Sequence, residues 1–107
     1  MQSNPFLESY FQASNTHDVA ATLDHFATDA VVQDEGKTYL GHDQIRHWLE
    51  ETNASYHAHA ALLNLSCSGD EATALVSVSG TFPGSPIQLM FNFVLTNNKI
   101  SSLTFGE

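Results

Sequence analysis

Apolar residues in the first half of the chain recur at helical spacing. Phe6, Leu7, Tyr10 and Phe11, followed by Ser14, form one stripe that ends around Asn15. Asn4-Pro5 ahead of it is a helix start, with a capping side chain and then proline at the first helical position. Asp18 is placed to cap a second helix on which Val19, Leu23 and Phe26 share a face. "ATDAVVQD" then reads as a short strand, and "GKTYLG" as a turn with a second short strand. Asp43 is a candidate cap for a third helix that carries Ile45, Trp48 and Leu49 inward.

From about Ser55 the period changes to that of strands. Four β-like runs are separated by Ser68-Gly69-Asp70, by Pro83-Gly84-Ser85-Pro86 and by Asn97-Asn98, all strong turn signals. Strands joined by short turns form an antiparallel meander, and helices followed by strands make the chain α+β, with the helices on one face of a curved sheet. In "ATALVSVSGTF", Ala74, Val76, Val78 and Phe82 fall on one face, with Thr73, Ser77, Ser79 and Thr81 on the other. "IQLMFNFVL" is apolar on both faces except for Gln88 and Asn92, so both faces are expected to be covered. Helices cover one; a second subunit is expected to cover the other, giving a homodimer through the sheet. Phe82, Leu89, Phe91 and Phe93 are assigned to that dimer face or to the core.

Length and charge narrow the picture. The 107 residues make one domain, 1–107, with no repeat, linker or low-complexity segment. Twelve acidic residues against three basic ones, Lys37, Arg46 and Lys99, give a net charge of −9. That surface repels phosphate backbones and anionic lipid, so neither nucleic acid nor a membrane is an expected partner. "MQSNPFLESYFQ" has neither the basic start nor the apolar stretch of a signal peptide, and no run is long enough for a membrane helix. A cytoplasmic location is the expectation. Cys67 is alone, so no internal disulfide forms, and it has no basic neighbour in sequence to activate it.

The candidate chemistry lies in a few polar residues among apolar ones. Asp34 ends the run Ala30-Val31-Val32-Gln33-Asp34, either as a turn-former at a strand end or as a working carboxylate in a pocket. Tyr10 sits on a core stripe, and a buried tyrosine hydroxyl needs a partner. Asn92 in "LMFNFVL" would cost about 1–3 kcal/mol if buried unsatisfied, so it must meet a polar partner or a ligand. His57 and His59 alternate onto one strand face, half of a metal site with no third ligand at a recognisable spacing, so no metal is expected. No nucleophile elbow and no glycine-rich phosphate loop occurs.

With three helices and a long sheet around it, "FATDAVVQDEGKTYLGHDQIRHWLEE" resembles the SnoaL-like branch of the nuclear transport factor 2 (NTF2) superfamily. The resemblance runs from about Phe6 to Phe105. It implies three N-terminal helices packed on a strongly curved antiparallel sheet, a cystatin-like cone around an internal pocket. That superfamily hosts ketosteroid isomerases, polyketide cyclases, dehydratases, epoxide hydrolases and non-catalytic binders, so the fold implies a pocket and not a reaction. Spacing is most similar to the ketosteroid isomerases. Tyr10, eight residues before Asp18, matches their oxyanion-donating tyrosine, and Asp34 matches their general base. Asn92 falls where they carry an aspartic acid kept neutral in an apolar site. An amide departs from that acid, yet donates at every pH. Glu35 is a second departure, standing where that family usually has proline after the base.

The resemblance thus implies a cofactor-independent proton-transfer isomerase or cyclase acting on a small apolar carbonyl compound. Asp34 would be the base, with Tyr10 and Asn92 as oxyanion donors. His57, His59, Trp48, Leu63 and Met90 are expected to line the pocket and set its volume. Two alternatives stand beside this: a non-catalytic ligand-binding or structural module, and a dehydratase-like lyase pairing His57 or His59 with Asp34.

Overall fold

The computed structural model describes residues 2–106, Tyr56 by its backbone alone. Its elements run α1 (Pro5–Asn15), α2 (Val19–Leu23), β1 (Phe26–Asp34), β2 (Lys37–Leu40), α3 (Gly41–Tyr56), β3 (His59–Ser68), β4 (Glu71–Ser79), β5 (Ile87–Thr96) and β6 (Lys99–Gly106). The helix starts follow from their caps. Asn4 Oδ1 accepts the Leu7 N–H at 3.1 Å, and Asp18 Oδ1 accepts the Ala21 N–H at 3.0 Å. Asp43 is not a cap: α3 begins two residues earlier at Gly41, in a left-handed conformation (φ +78°). Its entry is held instead by Gln44 Oε1, which accepts the Leu40 N–H at 2.7 Å, and by the His42 ring, 2.8 Å from the Phe26 carbonyl. Phe26, expected on α2, opens β1, because α2 ends after one and a half turns at Leu23.

The strands form one six-stranded sheet in the order β2-β1-β6-β5-β4-β3. The expected meander is β3 to β6, antiparallel throughout. β1 joins it in parallel beside β6, with Val32 opposite Leu103, which makes the sheet mixed. Sheet faces follow from the two-residue period. Ala72, Ala74 and Val76 on β4, Phe91 and Phe93 on β5, Ile100 and Leu103 on β6, and Ala30 and Val32 on β1 are buried on the concave face. There they meet Leu7, Tyr10, Phe11, Ile45, Trp48 and Leu49 of the helices. The convex face carries a polar rung across all six strands: Ser66, Thr73, Asn92, Thr104, Gln33 and Thr38, each opposite the next.

Two local features bear on the site. β1 and β2 are joined by Glu35-Gly36 with φ +51° and +77°, a two-residue turn in which both residues are left-handed. Proline, locked near φ −65°, cannot occupy position 35 of such a turn, so the turn itself excludes the proline found there in ketosteroid isomerases. Glu35→Pro should lower stability by more than about 1 kcal/mol and open the β1–β2 hairpin, readable as lost amide protection at Lys37 and Asp34. In β3, the pairing with β4 shifts between Leu62 and Asn64, so Leu63 is the extra residue of a bulge. Inward positions change there from Ala60 and Leu62 to Leu65 and Cys67.

Candidate functional site

A cavity of about 440 Å³ opens between the concave sheet and helices α1 and α3, within the usual range for a small-molecule site. Apolar wall comes from Leu49, Val78, Ile87, Leu89, Phe91 and Phe105. The loop after β4 adds Phe82 and Pro83. Polar lining comes from Tyr10 and Ser14 on α1, Thr52 and Asn53 on α3, and the carboxylates Asp34 and Glu35.

Asp34 reaches this cavity by strand parity. Ala30 and Val32 point into the core, so Asp34, two residues further, continues their face where the core gives way to the cavity. Its Oδ2 accepts a hydrogen bond from Trp48 Nε1 at 3.1 Å. The indole thereby fixes the carboxylate's orientation from α3. Ile45, Trp48 and Leu49 are buried on one face of α3, one turn apart, which is what aims the indole at β1.

Tyr10 is 2% exposed, and its ring meets Phe11, Phe26 and Phe93 edge-on at centroid distances of 5.2 to 5.8 Å. Among the described residues its hydroxyl has no hydrogen-bond partner, although the side chain borders the cavity. Burial pushes its pKa up, so the hydroxyl keeps its proton and remains a donor. Ring contacts link the two ends of the site: Trp48 to Phe105 at 6.0 Å, Phe105 to Phe91 at 4.7 Å, Phe91 to Phe11 at 5.4 Å, and Phe11 to Tyr10.

Of the eight residues singled out from the sequence, Asp34, Tyr10 and Trp48 converge on this cavity. Asn92 does not: it alternates with the buried Phe91 and Phe93, so it stands exposed on the convex face between Thr73 and Thr104. Exposed to solvent there, its amide needs no ligand to satisfy it. Met90 shares that outer face, opposite Leu75. Leu63 is 44% exposed because the bulge turns it out of the inward row. His57 is not on a strand at all. It ends α3 as an exposed left-handed cap (φ +46°) whose N–H donates to the Asn53 carbonyl. His59 is exposed at the start of β3 and borders a shallow outer groove with Glu8, Gln12 and Asn15. With both histidines outside the cavity, the His–Asp pair of a dehydratase is not assembled. Of the four aromatic and aliphatic residues assigned to core or dimer face, Phe91 and Phe93 are in the core, Leu89 packs against it, and Phe82, Leu89 and Phe91 also form cavity wall. Ser14, Thr52 and Asn53 gave no signal beyond lying one helical turn from Tyr10, Trp48 and Leu49.

The described residues hold no cluster of three or more histidine, cysteine or acidic side chains fit for a metal ion. No described helix is long and apolar enough to cross a membrane.

An α+β cone with a largely apolar cavity and one oriented carboxylate defines the class of protein. The chain belongs to the SnoaL-like domain family, which it matches over residues 7–102. Among solved structures it is similar to a Sinorhizobium meliloti protein provisionally described as a polyketide cyclase. The two are 33% identical, with a TM-score of 0.93 over 97% of this chain and 95% of that one. Two more distant neighbours share the fold. One is the epoxide hydrolase/cyclase-like enzyme SalBIII of pyran-ring formation in salinomycin, at 23% identity, TM-score 0.82, and 94% and 85% coverage of the two chains. The other is a provisional ketosteroid isomerase from Kribbella flavida, at 14% identity, TM-score 0.81, and 94% and 73% coverage. No curated protein matches the sequence.

Proposed function

We propose that the cavity binds a small apolar carbonyl compound and that Asp34 moves a proton at the carbon beside the carbonyl. One observation carries the reading: a carboxylate oriented by Trp48 Nε1 shares an otherwise mostly apolar cavity with a tyrosine hydroxyl that has no partner among the described residues. The Asp34 carboxylate takes the α-proton, and the charge that develops on the carbonyl oxygen accepts the Tyr10 O–H. Returning the proton at another carbon gives an isomerase. Attack of the enolate carbon on a second carbonyl of the same molecule gives a cyclase, the class to which the S. meliloti relative is provisionally assigned. Both outcomes share the first step and need no cofactor. With Asn92 outside the cavity, Tyr10 is the principal oxyanion donor, and Ser14, Thr52 and Asn53 are left to position the rest of the substrate.

The test is a titration with phenols and naphthols, whose oxygen mimics the enolate. Wild-type protein should bind them, and Tyr10→Phe should weaken binding by tenfold or more, about 1.4 kcal/mol. A folded protein that binds none of them would leave the family's other role, a non-catalytic ligand carrier.

We also infer a homodimer in a cytoplasmic setting, formed through the convex face of the sheet. Leu75, Met90, Val94 and Val31 are half-buried there, and Leu40 is 57% exposed. The polar rung between them offers self-complementary hydrogen bonding. Light scattering should give twice the chain mass, and Met90→Glu should halve it without unfolding the chain. A wild-type monomer at high concentration would refute the inference.

A further inference from the structure

The walls of the cavity carry a charge asymmetry that an enolate-forming reaction does not use. Asp34 and Glu35 border it, and among the described residues no cationic side chain does. Lys37 lies in an outer groove beside β2 and Asp43, Lys99 donates to the Asp24 carbonyl at 2.6 Å, and Arg46 is exposed on α3. The one hydrogen-bond donor to Asp34 in the described residues is the neutral Trp48 N–H. The carboxylate is oriented but not neutralised. Around it stand aromatic rings in mutual contact, Trp48 to Phe105 at 6.0 Å and Phe105 to Phe91 at 4.7 Å. A cation beside such rings is attracted by their quadrupoles, and a cation beside a carboxylate by its charge. The net charge of −9 draws cations toward the mouth.

We propose that this cavity is a receptor for a small organic ammonium ion, with Asp34 as its counter-ion and Trp48, Phe105 and Phe91 as its aromatic walls. The Tyr10 hydroxyl, deep in the same cavity and unpartnered among the described residues, pairs with a hydroxyl or carbonyl at the ligand's other end. An ammonium seated on Asp34 occupies the base, so it competes with any carbonyl compound that Asp34 would deprotonate. Ligands bearing a carboxylate or phosphate meet two like charges and no cation, and are excluded.

The probe is choline, compared with its neutral carbon isostere 3,3-dimethyl-1-butanol, each titrated into the full chain and followed by NMR. Choline should bind at least tenfold more tightly than the isostere. Asp34→Asn should erase that preference, while Glu71→Gln, an exposed charge on the outer face, should leave it intact. Phe105→Leu should weaken choline several-fold more than the isostere, and it carries the test should Asp34→Asn fail to fold. Equal affinity for the two probes, or a preference that survives Asp34→Asn, overturns the proposal. Phenols report on the carbonyl reading separately. Asp34→Asn should move the two ligand classes in opposite directions, so either reading can fail without the other.

Discussion

Asp34→Asn should slow proton transfer by at least 100-fold while tightening the hold on phenolates about tenfold. The assay is conversion of a small β,γ-unsaturated cyclic ketone to its conjugated isomer, read by absorbance, beside phenolate titration of the same protein. Removing a general base typically costs about 10²- to 10⁴-fold. The substitution is close to isosteric, and the amide oxygen can still accept the Trp48 N–H, so the geometry at the end of β1 is kept. Affinity rises for an electrostatic reason. An ionised Asp34 repels a bound phenolate, whereas in the reaction the enolate forms only after Asp34 has taken the proton and lost its charge. Asparagine reproduces that neutral state, and at an effective dielectric near 20 one like charge a few ångströms away is worth about 1–4 kcal/mol. A residue that merely closed the strand would lose stability and both ligand responses together. Opposite signs for rate and affinity are what identify a base.

Much of the fold was legible because it rests on short-range rules. Asn4-Pro5 and Asp18 mark real helix starts, and the turn residues of the meander divide β3 to β6 where the strands end. The parallel pairing of β1 with β6 was not legible, because it joins segments about seventy residues apart with no local signature. In the site, Asp34 and Tyr10 were readable since each continues an apolar series on its own element. Three of the misplacements, Asn92, Met90 and Leu63, turn on the choice of strand face. In β5 the odd positions Ile87, Leu89, Phe91 and Phe93 are uniformly apolar, while the even ones include Gln88 and Asn92. A one-sided core takes the uniform set, which places Asn92 and Met90 outside. That alternation is present in the sequence and points the opposite way from the resemblance to a ketosteroid isomerase acid. Leu63 had no such signal, because a bulge inverts parity without any mark in composition. Nor did His57, whose left-handed cap conformation is set by where α3 stops.

Neighbouring positions on β5 supply the strongest test of that orientation. Phe93→Ala should cost about 3–5 kcal/mol, a large share of the roughly 5–15 kcal/mol available to a domain of this size. Phe93 is 1% exposed, lies opposite Ala72 and Leu103, and packs edge-on against Tyr10 at 5.6 Å and Phe11 at 6.1 Å. At about 4 °C per kcal/mol, the melting temperature should fall by about 12 °C or more. Asn92→Ala, one residue away on the exposed face, should stay within about 0.5 kcal/mol of wild type. A reversed order would mean that β5 presents its other face to the core and that Asn92 belongs to the cavity after all. The same pair separates scaffold from site. Truncating Phe93 opens space beside the Tyr10 ring, so phenol affinity should fall in the fraction that remains folded. Asn92→Ala should leave that affinity unchanged, because the sheet itself stands between its amide and the ligand.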